Sequence, residues 1–231
     1  MTPSGRNRPN VLFVMMDQLQ ARALGCYGNS VVQTPHLDAL AASGTLCERY
    51  FVQQPLCVPS RCSLFTGRYV HAHRHRTNAS FLRPEERHLG QILRDAGYYA
   101  GYSGKNHLLP QGRGPQDFDD WHGSANAEEG REWAESAART GLDPTPPAGR
   151  PEDPWPTAFY VGSAKAPAAA HADARRTDAA LGFLDAAAGR PDPTRPWALV
   201  VSYSGPHVPF AVPAEFFGRH RREDVPIPPA P

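Results

Sequence analysis

Long apolar runs are missing from this chain. No stretch approaches the ~20 consecutive apolar residues of a membrane span, and the opening MTPSGRNRPN lacks the apolar centre of a secretory signal. Neither a membrane-spanning nor an exported protein is expected, which leaves the cytoplasm as the default location. Cysteine is scarce: Cys26, Cys47, Cys57 and Cys62 are the only four among 231 residues. They are too few and too scattered for a disulfide scaffold, so reduced thiols are expected. Neither sign of charge is in excess, since 24 basic and 23 acidic residues leave a net charge of +1. That excludes a bulk field attracting nucleic acid or an anionic membrane, and any anion recognition must be local. Internal repeats and heptads are also absent.

What is present is a 40% hydrophobic content, enough for a sizeable core. NVLFVMM (10–16) is a continuous apolar run closed by Asp17, which predicts a strand buried on both faces of a parallel sheet. TPHLDALAASG predicts a helix with Thr34 as cap, Pro35 at the first helical position, Leu37, Leu40 and Ala41 on one face, and Gly44 as its stop. TLCERYF (45–51) suits a short strand, and SRCSLFTG a helix from Pro59 or Ser60 that stops at Gly67. PEERHLGQILRDAG predicts a helix from near Pro84 to Gly97. YYAGYSG (98–104) and WALVVSY (197–203) read as further strands. The alanine-rich segment 164–189 reads as helix, with Leu181 and Leu184 as its apolar pair. Proline, 25 residues in all, clusters in 110–167 and 206–231 and predicts loops there. Residues 110–157, with Trp121 and Trp155, are expected to form a loop-rich excursion at a site rim, and residues 1–7 a disordered terminus.

Strands alternating with helices, with continuous apolar strands, predict an α/β fold: a mostly parallel sheet flanked by helices. Ligands of such sheets bind beyond the carboxyl ends of the strands. Three apolar runs end there in residues of catalytic type: Asp17, then Lys105 with His107, then His207. Cys57 stands at a predicted helix start, where the dipole would lower a thiol's pKa and attract an anion, with Arg61 one turn on. From position alone, a small buried cysteine is an even alternative. HAHRHR (71–76) invites a zinc site with Cys57 and Cys62 but lacks standard ligand spacing, so a solvated, partly substrate-facing turn is expected instead.

CVPSRCSLFTGRY (57–69) resembles the signature of the sulfatase family, with Cys57, Pro59, Ser60, Arg61, Thr66, Gly67 and Arg68 all fitting. RPNVLFVMMDQ resembles the family's first strand and its metal-binding end, and VVQTPHLDALAASG its first helix. GKNHL resembles its Gly-Lys-x-His element and SGPHVPF its Pro-His-x-Pro element. The resemblance spans most of residues 8–231 in the family's order, as the N-terminal portion of a catalytic domain of the alkaline-phosphatase-like superfamily. It implies hydrolysis of sulfate esters, arylsulfatase-like, through a formylglycine that a separate formylglycine-generating enzyme makes from Cys57. It also implies a divalent metal, Ca²⁺ first, with Mg²⁺ or Mn²⁺ as alternatives.

Carried over by residue, the resemblance implies that Asp17, Gln18 and the converted Cys57 hold the metal. Arg61 would orient the diol of the hydrated aldehyde, Lys105 would hold a sulfate oxygen, and His107 would act as base. His207 would contact the sulfate or protonate the leaving group, and Asn78 in HRTN would contact substrate. Many sulfatases carry aspartate where Gln18 stands; glutamine resembles the phosphonate monoester hydrolase and choline-sulfatase-like branches. The family's later element, with its remaining metal ligands, is not found among these 231 residues; a truncated product, a partial sequence and half of a split protein all stay open, and so does the activity of the 231-residue chain alone. Two alternatives stand beside the sulfatase reading: a phosphonate or phosphate diester hydrolase of the same superfamily, and a non-catalytic sulfatase-like fragment.

Overall fold

The computed structural model describes residues 8–124, 161–164, 167–190, 192, 194–208 and 210–225. The expected disordered terminus 1–7 and Trp155 lie outside them, as does most of the 110–157 excursion. The described residues divide into two compact units, one built from 8–17, 52–124 and 172–204, the other from 18–51, 161–171 and 205–225.

The first unit is organised by a four-stranded sheet in the order β1-β5-β2-β3, with every neighbouring pair parallel. Its strands are β1 (Val11–Met16), β2 (Tyr99–Lys105), β3 (Asp120–Ser124) and β5 (Trp197–Tyr203). This is the fold class that the alternation of apolar strands and helices predicts. Helices α2 (Cys57–Thr66) and α4 (Leu89–Asp95) belong to this unit, as do the single turns α3 (Val70–His73) and α5 (Gly114–Asp117). The long helix α6 (Ala172–Ala188) completes it.

Strand alternation divides the core in two. Val200 of β5, with Ala100 and Tyr102 of β2, packs with Val58, Cys62 and Phe65 of α2. The intervening Leu199 and Val201 pack instead with Ala180, Phe183 and Ala187 of α6. α6 is thus buried through Ala180, Phe183 and Ala187; Leu181, expected on its apolar face, is exposed. At Gly101 a β-carbon would stand 2.4 Å from the Phe183 ring, so α6 lies directly on the strand backbone.

Several local expectations are corrected. β1 lies at one end of this sheet with β5 as its only neighbour among the described residues, and Leu12 is 53% exposed. A continuous apolar run does not distinguish an edge strand from a central one. α2 starts at Cys57, earlier than Pro59; it ends at Gly67, whose φ of +66° is the left-handed stop that glycine accepts. α4 starts only at Leu89, because the Glu86 side chain is committed to the turn before it, accepting from the Arg83 backbone N–H at 2.9 Å. His88 then caps α4, its Nδ1 accepting from the Gly90 N–H at 3.2 Å. Residues 110–124 form α5 and the strand β3, and Trp121 stacks on Tyr102 at 4.8 Å between ring centroids instead of lining a rim.

The second unit contains α1 (Pro35–Ser43), capped by Thr34 and Gly44, and a parallel pair formed by β4 (Val161–Ala164) and β6 (Phe210–Pro213). The Thr34 hydroxyl serves tertiary structure: it accepts from the Gly25 N–H at 2.9 Å and donates to Asp38 at 3.0 Å. Residues 45–51 form no strand, and Tyr50 and Phe51 are exposed.

Candidate active site

Three of the predicted site residues arrive at one place in the first unit, each delivered by the end of a regular element. Asp17 follows β1 directly, and its backbone N–H donates to the Tyr203 carbonyl at the end of β5, 3.2 Å. Lys105 is the last residue of β2, and Cys57 is the first residue of α2. The Lys105 ammonium lies 2.6 Å from Asp17 Oδ2 and 4.0 Å from Cys57 Sγ, and the thiol lies 3.6 Å from the same carboxylate oxygen. The positive end of the α2 dipole adds to these cations at residue 57.

Arg61, one turn along α2, is 3% exposed. Its Nη1 donates to the Lys105 carbonyl at 2.9 Å and to Ser202 Oγ at 2.8 Å, and its Nη2 reaches Asp17 Oδ2 at 3.5 Å. The guanidinium therefore ties together the ends of β1, β5 and β2. A buried arginine is tolerated because its donors meet acceptors, one of them charged.

Gly104 explains how Lys105 reaches this side of the sheet. Even-numbered residues of β2 face α2, whereas Ser103 faces α6 and donates to the Arg176 carbonyl at 2.9 Å. Strict alternation would send Lys105 toward α6. Gly104 has φ +105°, and a β-carbon there would stand 2.0 Å from the Ser202 carbonyl oxygen. Only glycine fits that conformation and that approach. Beyond Lys105, Asn106 locks the loop, donating to the Leu109 carbonyl at 2.6 Å and accepting its N–H at 2.9 Å. His107 follows, half-buried, with a positive φ of +37°.

Asn78 acts on α2: its Oδ1 accepts the Val58 N–H at 3.0 Å, satisfying one of the donors at the helix start. Gln18 and His207 belong to the second unit. Gln18 continues the chain from Asp17 with a left-handed φ of +64°. The Nδ1 of His207 donates to the Val208 carbonyl at 2.6 Å, which makes Nε2 the basic nitrogen of the neutral ring.

The expectation of a solvated 71–76 turn is corrected. His73 and His75 are buried, with His73 Nε2 2.9 Å from Ser63 Oγ on α2 and His75 Nε2 2.7 Å from Glu86. His73 Nδ1 accepts the His75 N–H at 3.0 Å, so Nε2 carries the proton and donates to Ser63. Burial, with His75 and arginines nearby, pushes the His73 pKa down. Glu86 is held below the usual carboxylate range by hydrogen bonds from Arg83 and His75, against the opposing effect of burial. Burial and the Glu86 charge push the Cys62 thiol up to about 12. The His73 and His75 imidazoles are engaged by Ser63 on α2, by backbone and by Glu86. Sequence reasoning missed Ser202 and Asn106; the only sign of Ser202 was a hydroxyl inside the apolar run WALVVSY.

As to a metal, one of the donors at residue 57 is of the kind a hard divalent cation prefers. The Asp17 carboxylate stands at a strand end beside Cys57 and offers oxygen, the ligand such ions prefer.

Comparison with known proteins accords with this arrangement. The Sulfatase family profile matches residues 9–227. An uncharacterized sulfatase, YidJ, of Escherichia coli K12 is 32% identical over 223 residues, 92% of this chain and 41% of that one. An N-acetylglucosamine-6-O-sulfatase of Bacteroides thetaiotaomicron is 34% identical over 114 residues, 49% of this chain and 20% of that one. The crystal structure of a phosphonate monoester hydrolase of Agrobacterium radiobacter superposes with a TM-score of 0.67 at 25% identity, covering 90% of this chain and 43% of the other. This chain spans less than half the length of these relatives. With the signature cysteine, its arginine and the strand-end lysine and aspartate gathered as described, the chain belongs to the sulfatase family.

Proposed function

We propose that the site takes part in hydrolysis of sulfate esters, with residue 57 acting as a formylglycine and a divalent cation bound at Asp17. The observation that supports this best is the convergence of Asp17 and Lys105 on Cys57, with Lys105 2.6 Å from Asp17 and 4.0 Å from the sulfur, and Arg61 3.5 Å from the same carboxylate. Hydrated, such an aldehyde supplies a nucleophilic hydroxyl, and a divalent ion acidifies it. Asp17 and Gln18 would hold that ion through oxygen.

The remaining work belongs to the chain's own side chains. Lys105, on a strand end that Gly104 turns toward α2, neutralises charge on a sulfate oxygen as it develops. Arg61 is fixed by two buried acceptors and orients residue 57 from one turn away. His107 would take the proton of the second hydroxyl, whose oxygen re-forms the aldehyde C=O as the C–O bond to sulfate breaks, so that sulfate leaves without water having to attack sulfur. His207, whose Nε2 is the basic nitrogen, delivers a proton to the departing alcohol once protonated. Asn78 holds the start of α2 and so the direction in which residue 57 points.

The second reading is phosphonate ester hydrolysis. Gln18 in place of a second aspartate favours it, as does the superposition on the Agrobacterium hydrolase. The experiment is a peptide mass spectrum of residue 57 in protein from its native host, followed by parallel turnover of an aryl sulfate and an aryl phosphonate. An aldehyde at 57 with faster sulfate turnover is expected. An unmodified thiol without turnover of either ester refutes the proposal, and faster phosphonate turnover selects the second reading.

A further inference from the structure

We propose that Ser202 is the positioning residue of the site, holding the Arg61 guanidinium in the one orientation that serves residue 57; this rests on the function proposed for Arg61. Ser202 sits in the interior strand β5 and is 0% exposed, directly after four buried apolar residues, Ala198, Leu199, Val200 and Val201. A hydroxyl in such a place is costly unless it is hydrogen-bonded, and its Oγ lies 2.8 Å from Arg61 Nη1. Ser202 is in register with Met15 of β1 and Gly104 of β2. It therefore stands between the two strand ends that carry Asp17 and Lys105.

The geometry shows what the hydroxyl adds. Nη1 has two hydrogens and two acceptors, the Lys105 carbonyl at 2.9 Å and Ser202 Oγ at 2.8 Å, and together they fix the plane of the guanidinium. Nη2 is then held 3.5 Å from Asp17 Oδ2, long for a charged pair, while Lys105 makes the close contact at 2.6 Å. Without Oγ, one buried N–H loses its acceptor and the fork rotates toward Asp17, the strongest acceptor in reach. Arg61 would then compete for the carboxylate assigned to the metal. Ser202 touches neither substrate nor the reacting atoms; its action passes through Arg61.

The test uses the 231-residue chain and two readouts. In ¹⁵N NMR, an Arg61 Nη–H signal, assigned by its loss in Arg61→Lys, is expected to exchange slowly in the parent protein. Ser202→Ala should lose that protection and Ser202→Thr should restore it. Ser202→Cys, which keeps the volume with a poor acceptor, should lose it too and carries the test if the alanine variant does not fold. In protein converted at residue 57, Ser202→Ala should lower kcat about tenfold or more, the cost of a lost hydrogen bond to a buried charge, with KM within about twofold. An Arg61 signal absent from the parent, equally protected in the alanine and cysteine variants, or not restored by threonine overturns the inference. If protein from the native host, converted at residue 57, turns over no ester, the proposed function fails, while the NMR readout still decides whether Ser202 holds Arg61.

Discussion

Replacing Gly104 by alanine tests the packing that brings the strand ends together. The new methyl would stand 2.0 Å from the Ser202 carbonyl oxygen, 2.9 Å from its carbon and 3.0 Å from Arg176 Cδ. The first two are backbone atoms of the neighbouring strand, so the overlap cannot be relieved by a side-chain rotation. Separating β2 from β5 locally costs about 1–3 kcal/mol, as overpacking does. The φ of +105° adds about 1–3 kcal/mol for a residue with a β-carbon. Together the loss is about 2–6 kcal/mol, a large part of the ~5–15 kcal/mol that stabilises a typical domain. In urea unfolding, with a slope of about 2 kcal/mol/M, the midpoint should fall by roughly 2 M. The backbone argument is refuted if Gly104→Ala unfolds within about 0.5 M of the parent at an unchanged slope.

Other outcomes follow from the buried polar groups. Glu86→Gln removes the charge that Arg83 meets at 2.8 Å and His75 at 2.7 Å, and should cost about 2–3 kcal/mol by the same urea assay; a change below about 0.5 kcal/mol would count against the network. Burial lowers the pKa values of His88 and His73 from 6.5, so the unfolded chain binds more protons as pH falls through that value. Stability should therefore drop between pH 7.5 and 5.5, and an unfolding midpoint as high at the lower pH contradicts it. Cys62, completely buried and pushed up to about 12, should resist a thiol reagent at pH 8 in the folded protein and react on unfolding. Labelling of Cys62 as fast as that of the exposed Cys47 would disprove this burial.

Legibility in the sequence followed the range of the interaction. The strands at 10–16, 98–104 and 197–203 and the helix stop at Gly67 were readable because apolar runs and glycine conformations are local properties. The edge position of β1 was not, because nothing in VLFVMM records how many neighbours it has. His73 and His75 read as solvated because their partners, Ser63 and Glu86, lie ten and eleven residues away and are brought together only by the turn between α2 and α4. Asp17 and Lys105 were placed correctly at strand ends, since a parallel sheet puts those ends on one side, whereas α2 begins at Cys57, two residues before the expected Pro59. Ser202 escaped notice because its partner Arg61 lies 141 residues earlier. Asn78 was expected to contact substrate; the sequence did not show that its Oδ1 accepts from the backbone of α2, a contact across 20 residues that no short motif encodes.

The burial of α2 also sets a timetable. Val58, Pro59, Arg61 and Cys62 are all buried in the folded unit, so an enzyme that reads the Cys57–Arg61 segment as a linear tag must do so before the sheet closes over it. The groups that fix Arg61 are made later, Lys105 44 residues and Ser202 141 residues further on. At a synthesis rate of about 5–20 residues per second, the tag precedes the strand that seals it by on the order of ten seconds. Among the described strands of this sheet the interior β5 comes last in sequence, so the nascent chain has an interval in which the 57–61 segment is not yet enclosed, and folding ends that interval.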